Sequence, residues 1–248
     1  MGYFVNLYGQ KHIRLMYMRI LIACSGNASR WKNYLNVPKH LIEIDGEKLL
    51  NRTVRLIKEK VRQHHEIFVV AHDNLYKIDG TTLIRPELTQ LEKEQYCENP
   101  FICVSKKWWN DKGMTIILFG DVFFTKNAID IIFNHLQQPH QYTFFGRADK
   151  SSFTLCPYGE IFGLSFSNNF IPKMSDTVDK LKILKDSGKI KRFITWEVYR
   201  YLQSIELDKH IVKNNFVQID DFTEDFDFPI DYDRWIKQWT NQRKKYCE

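Results

Sequence analysis

No stretch of this 248-residue chain approaches the roughly 18 uninterrupted apolar residues that a membrane-spanning helix requires, so no membrane span is expected. The five cysteines, Cys24, Cys97, Cys103, Cys156 and Cys247, are odd in number and form no C-x-x-C pair. That argues against a disulfide framework and a structural zinc site, and for a reducing, cytoplasmic setting. The eight histidines show no H-E-x-x-H or comparable ligand spacing, and the His64-His65 pair reads as a helix-end feature. Neither a G-K-[ST] triphosphate loop nor a G-x-G-x-x-G dinucleotide fingerprint is present. No repeat, low-complexity linker or break in composition divides the chain, so one domain is expected.

An apolar content of 44% with 15% aromatic residues is that of a folded, soluble chain with a substantial core. The net charge of +6 suits anionic ligands, or is simply solubilising. Its 36 basic and 30 acidic residues are interleaved, however, with no concentrated basic stripe. Small anionic substrates therefore fit better than nucleic acid. Residues 1–17 carry basic residues without a sustained apolar segment and are read as an N-terminal extension rather than a secretion signal, with Met18 an alternative start. Residues 18–248 form the expected domain, and nothing in its sequence indicates the oligomeric state.

Arg19 to Ala23 is a short apolar run without alternation, as in a buried parallel strand. Leu50, Val54, Ile57 and Val61 recur at helical spacing, and Glu66 to Ala71 reads as the next strand. This gives a βαβ start with right-handed crossover. Residues 72–113 are expected to form loops and short elements. Met114 to Phe119 is a second buried strand, followed by a helix through Ala128, Ile129, Ile132, Phe133 and Leu136. Tyr142 to Phe145, Ile161 to Phe166 and Phe216 to Ile219 read as strands. Ile171 to Leu184, Phe193 to Leu202 and the segment around Trp235 and Trp239 read as helices. Trp108, Trp109, Trp235 and Trp239 either line an interface or cover the sheet.

The first segment with chemical character is the loop Ala23-Cys24-Ser25-Gly26-Asn27-Ala28-Ser29-Arg30, followed by Pro38-Lys39. Small residues after a strand let backbone N–H groups approach phosphate oxygens, and Arg30 and Lys39 supply offsetting charge. The run S-G-N-A-S-R-W, then V-P-K-H-L-I-E-I-D-G-E-K-L-L, resembles the A-G-x-G-[ST]-R…P-K-x-L…D-G-x-P signature of the sugar nucleotidyltransferases. Ser25 stands where that family has alanine, and Ala28 where it has the second glycine, a position that alanine fills less easily at positive φ.

A second segment, Leu118-Phe119-Gly120-Asp121-Val122, ends a buried strand. A carboxylate there points into the crevice where open α/β sheets bind ligands, and offers hard oxygen to Mg²⁺; the other reading is a cap on the following helix. A third, Thr223 to Tyr232, resembles the family's late D-[IV]-D-T-P-E-D segment. Asp225 and Asp227 alternate on an extended chain and so face one site. Asp231 reads as a helix cap.

The resemblance implies a single Rossmann-like α/β domain, its central sheet mixed, mostly parallel with one reversed strand and flanked by helices, of the nucleotide-diphospho-sugar transferase type. It also implies the reaction: an acceptor phosphate attacks the α-phosphorus of an NTP and pyrophosphate leaves. Asp121 and Asp227, with Asp225 as a further candidate, would hold Mg²⁺. Arg30 would hold the leaving phosphates and Lys39 the α-phosphate. The Ala23-to-Arg30 loop and Gly120 would line the nucleotide, with Arg85 a candidate at the base. Arg147 and Glu160 are candidates for the acceptor's phosphate and hydroxyls, or are surface residues. The rival readings are a glycosyltransferase of the related fold using an NDP-sugar, and a nucleotide-binding relative without catalysis. The first would normally show a D-x-D pair in mid-chain, where this sequence has only G-D-V.

Overall fold

The computed structural model describes residues 17–26, 28–61, 65–86, 100–138 and 140–247. Residues 1–16 of the expected extension, Asn27 of the expected phosphate loop, His64 and Cys97 lie outside the described residues.

The unbroken apolar run behind the first expected strand forms β1 (Met18–Ala23), in which Ile20, Leu21 and Ile22 have no exposed surface. It is buried on both faces, as the lack of alternation requires. A tight hairpin, β2 (Glu43–Ile44) and β3 (Glu47–Lys48), turns through Asp45 and Gly46, both at positive φ. Asp-Gly is the favoured pair for such a two-residue turn. Helix α1 (Leu49–Lys60) leads to β4 (His65–Val70) and the edge strand β5 (Thr82–Ile84). A single turn, α2 (Phe101–Val104), precedes β6 (Met114–Phe119), which runs directly into the short β7 (Val122–Phe123) and then α3 (Lys126–His135).

Strands β8 (Tyr142–Arg147) and β9 (Glu160–Ser167) are followed by α4 (Ile171–Asp186) and α5 (Thr195–Leu202). The chain ends through β10 (Phe216–Gln218), β11 (Glu224–Asp225) and α6 (Pro229–Cys247).

Seven strands form one sheet in the order β10-β8-β9-β6-β1-β4-β5. β1 is parallel to both β4 and β6, and β9 is antiparallel to both of its neighbours. The sheet is therefore mixed and mostly parallel, with one reversed strand. Alternate residues of the central strands feed two cores. Ile20, Ile22, Ile116 and Leu118 meet Leu50, Val54 and Ile57 of α1 and Ile129, Ile132 and Phe133 of α3. On the other face, Leu21, Ile117 and Leu164 meet Met174, Val178 and Leu181 of α4 and Trp196 and Tyr199 of α5.

A third, smaller cluster joins Trp31, Ile42, Ile44, Leu49, Phe123, Phe226 and Trp235. Trp109 and Trp235 are thus buried packing residues rather than interface residues. Among the described residues no helix is long and apolar enough to cross a membrane.

Candidate active site

The site forms where β1 and β6 end side by side, Ala23 in register with Phe119. Gly120 N–H donates to the Ala23 carbonyl at 3.0 Å. A Cβ at Gly120 would collide with Cys24 Sγ and the Ala23 carbonyl oxygen, so glycine is required where the two loops cross. Burial, with the Asp121 carboxylate, pushes the Cys24 thiol up, which makes it an inert packing group.

The late acidic segment reaches this edge by pairing. β11 runs antiparallel to β7, Asp225 opposite Val122 and Glu224 opposite Phe123, and Phe226 N–H donates to the Asp121 carbonyl at 3.2 Å. Residues about a hundred positions apart are thereby zipped together. One oxygen from each of Asp121, Asp225 and Asp227 lies within 4.8 Å of the others. Asp121 does not cap α3: Thr125 Oγ1 accepts from Ala128 N–H at 2.9 Å in that role. Asp231, in the first turn of α6, accepts from Phe228 N–H at 2.9 Å, the capping function expected of it.

Two cations enter the carboxylate cluster from the other segment. Lys39, 9% exposed at its side chain, binds Asp121 and reaches Asp227 Oδ1 at 3.2 Å. Arg30 Nη2 meets the other Asp227 oxygen at 2.7 Å while its guanidinium lies 5.0 Å over the Phe228 ring. Burial works against the Lys39 ammonium, but Asp121, Asp225 and Asp227 outweigh it and hold its pKa above the ordinary lysine value. Burial and the neighbouring Asp121 and Asp227 charges drive the Asp225 carboxyl well above the usual carboxylate range. Its Oδ1 is buried without a hydrogen-bond partner. An orphaned buried oxygen beside two further carboxylates is a donor set that fits a hard divalent cation.

Ala28 adopts φ 46°, a left-handed conformation that glycine adopts without strain and alanine at a cost of about 1 kcal/mol. Trp31 holds the same loop: it is buried, donates from Nε1 to the Val37 carbonyl at 2.9 Å, and packs edge-on against Tyr34 and Tyr232.

Glu160 opens β9 close to the acidic cluster, and burial with the Asp227 and Glu224 charges pushes its carboxyl up to about 8. Arg147 does not open onto the site. Its side chain is completely buried, paired with Glu224 at 3.1 Å and donating to the Thr223 and Tyr158 carbonyls.

Several residues carry no distinctive sequence signal. His40 is buried against Tyr76, its Nδ1 3.2 Å from the hydroxyl, and burial lowers its pKa to about 4 despite Asp121. His72 Nε2 lies 3.1 Å from the Ser25 carbonyl oxygen, at the head of the loop after β1. Phe228, 40% exposed, forms the platform under Arg30.

No protein-family profile matches this chain, and no curated protein does. Solved structures do. A UDP-glucose pyrophosphorylase solved with UDP-glucose superposes with a TM-score of 0.57 at 11% identity, covering 93% of this chain and 100% of that one. A CTP:phosphocholine cytidylyltransferase from Streptococcus pneumoniae gives 0.53 at 14% identity, over 88% and 97%. A Mycobacterium tuberculosis protein solved with manganese gives 0.52 at 12% identity, over 90% and 98%. The chain therefore has the nucleotide-diphospho-sugar transferase type of fold, and its own sheet has the single reversed strand expected from the sequence.

Proposed function

We propose that this protein is a magnesium-dependent nucleotidyltransferase that joins the nucleoside monophosphate of an NTP to a sugar 1-phosphate or similar small phosphorylated acceptor. The observation that carries this reading is the convergence of Arg30, Lys39, Asp121, Asp225 and Asp227 beyond the carboxyl ends of the central strands β1 and β6, from segments about eighty residues or more apart. The similar folds of nucleotidyltransferases support the reaction class. The free thiols of Cys24, Cys103 and Cys156 support a reducing compartment, the cytoplasm. Residues 18–248 act as one domain.

The acceptor phosphate is already anionic at neutral pH, so its attack on the α-phosphorus needs no general base. A new P–O bond forms to the acceptor oxygen, the bond between the α-phosphorus and the bridging oxygen breaks, and pyrophosphate leaves. The obstacle is repulsion between anions, together with the charge developing on the leaving group. Arg30, on the more open side of the site, turns from Asp227 to the β- and γ-phosphates. Lys39 meets the α-phosphate, where charge builds as the bond breaks. Asp121, Asp225 and Asp227 would hold Mg²⁺, which when bound would supply charge neutralisation and polarise phosphate oxygens. Glu160 faces the acceptor's hydroxyls. Arg147 acts from behind, pinning Glu224 and so the strand that carries Asp225.

The test is thermal stabilisation by ATP, CTP, GTP, UTP and dTTP, and by NDP-sugars, each with and without Mg²⁺, on wild type and Asp121→Asn. A ligand at 100 times its dissociation constant adds about 2.7 kcal/mol. One NTP should stabilise the wild type only with Mg²⁺, and the variant should lose the effect. Stabilisation by an NDP-sugar alone would transfer the assignment to a glycosyltransferase, and no response to any nucleotide would refute both.

A further inference from the structure

Lys39 stands where the proposed divalent cation has to act. Its ammonium binds Asp121 and lies 3.2 Å from Asp227 Oδ1, bridging two members of the carboxylate triad, and its stem is enclosed. Arg30 takes the remaining Asp227 oxygen at 2.7 Å, but more than half of its side chain is exposed, so solvent screens that contact far more strongly. The Lys39 backbone is fixed in the turn that begins at Pro38, where Leu41 N–H donates to the Pro38 carbonyl at 2.8 Å. Only the four-carbon stem is free to redirect the charge. An ammonium is a compact point charge with three rotatable donors, well suited to exchanging one anion for another.

Building on the assignment of this site to metal and triphosphate, we propose that Lys39 is the resident counter-ion of the triad and couples the two ligands. A divalent cation takes over the neutralisation of Asp121 and Asp227 and releases the ammonium to the incoming phosphate. A phosphate arriving without the cation finds Lys39 still held by Asp121 and Asp227. The two ligands therefore bind cooperatively, and the coupling is reciprocal. The Lys39 charge competes with the free cation and assists the cation–polyphosphate pair, so removing it moves the two affinities in opposite directions. A residue that only binds phosphate would leave the affinity for free cation unchanged.

The experiment measures Mn²⁺ binding from the free-ion electron paramagnetic resonance signal. It also measures inorganic tripolyphosphate binding by calorimetry with and without Mn²⁺, corrected for the Mn²⁺–tripolyphosphate complex in solution. In wild type, Mn²⁺ should raise tripolyphosphate affinity on the order of 30-fold. Lys39→Met should bind Mn²⁺ alone about tenfold more tightly, and its coupling should fall below about threefold. Lys39→Arg, which keeps the charge, should stay near wild type in both.

A second readout uses the wild-type protein. In ¹H–¹⁵N spectra of lysine ammonium groups, the protected Lys39 signal, assigned with Lys39→Arg, should be lost or shifted on adding Mg²⁺. Unchanged Mn²⁺ affinity in Lys39→Met, or an ammonium signal indifferent to Mg²⁺ while the metal binds, overturns the counter-ion role and leaves the nucleotidyltransferase assignment standing. Failure of wild type to bind Mn²⁺ overturns both.

Discussion

Replacing Arg147 with methionine separates the role that the structure gives this residue from an acceptor-binding role. Arg147 and Glu224 are 0% and 1% exposed at their side chains, joined at 3.1 Å, with Thr154 Oγ1 also donating to the Glu224 carboxylate. Removing the guanidinium leaves a carboxylate in the interior close to Glu160, whose own carboxyl already feels the Glu224 charge. Breaking a buried pair from one side costs about 3–5 kcal/mol, whereas replacing both partners with apolar groups of similar volume is often close to neutral. At roughly 2–4 °C per kcal/mol for a chain of this size, Arg147→Met should lower Tm by roughly 6–20 °C. The double variant Arg147→Met/Glu224→Leu should recover most of that loss. Thermal melts by circular dichroism, with urea denaturation for the free-energy scale, measure both. A loss below about 1 kcal/mol in the single variant, particularly with weakened acceptor binding, would refute the structural role and return Arg147 to the acceptor.

Two further predictions concern stability. Ala28→Gly should stabilise the protein by about 0.5–1 kcal/mol, because the position sits at φ 46°; an unchanged or lowered urea midpoint would mean the loop is not strained there. His135 and His140, rings 5.1 Å apart and bonded to Thr143 and Ser165, have pKa values lowered mainly by burial. The unfolded chain then binds more protons than the folded one below pH 6.5, so this contribution is complete above that value and is lost as pH falls. Stability should drop less between pH 7.5 and 5 in His135→Gln/His140→Gln than in wild type, and equal slopes would exclude the pair.

The central strands were legible because burial on both faces leaves an unbroken apolar run, and Met114 to Phe119 has the same bounds in sequence and structure. The loop after β1 and the acidic residues stood out as candidates because phosphate and metal demand particular residue types at strand ends, and the structure brings Arg30, Lys39, Asp121, Asp225 and Asp227 together. The 72–113 segment was harder, since β5 has three residues and α2 four, too short for any period to register. Arg147 misled for a different reason. A lone arginine after a strand looks the same whether it faces a ligand or a buried glutamate 77 residues away, and the partner becomes visible only through the β7–β11 pairing. His40 was invisible because its environment comes from Tyr76, which nothing in the local sequence signals.

That pairing also explains why the site and the smallest core form together. On either side of Phe226, Asp225 and Asp227 join Asp121 in the carboxylate cluster, while Phe226 itself is fully buried, 5.2 Å from the Trp235 ring and 5.5 Å from Tyr232. A similar division holds in the turn after β1: Arg30 meets Asp227, and the adjacent Trp31 enters the same aromatic cluster beside Tyr232. Arg30, Asp225 and Asp227 thus each have an aromatic neighbour in sequence, Trp31 or Phe226, that is packed into one shared core. Packing orders those aromatics into few rotamers, and the spacing between Arg30 and Asp227 follows from it. The ion geometry is consequently set by burial rather than by the charges, which would otherwise repel one another or scatter into solvent. The closing helix, whose Trp235 completes the cluster and donates from Nε1 to the Phe222 carbonyl at 2.8 Å, therefore belongs to the candidate site as much as the loop after β1 does.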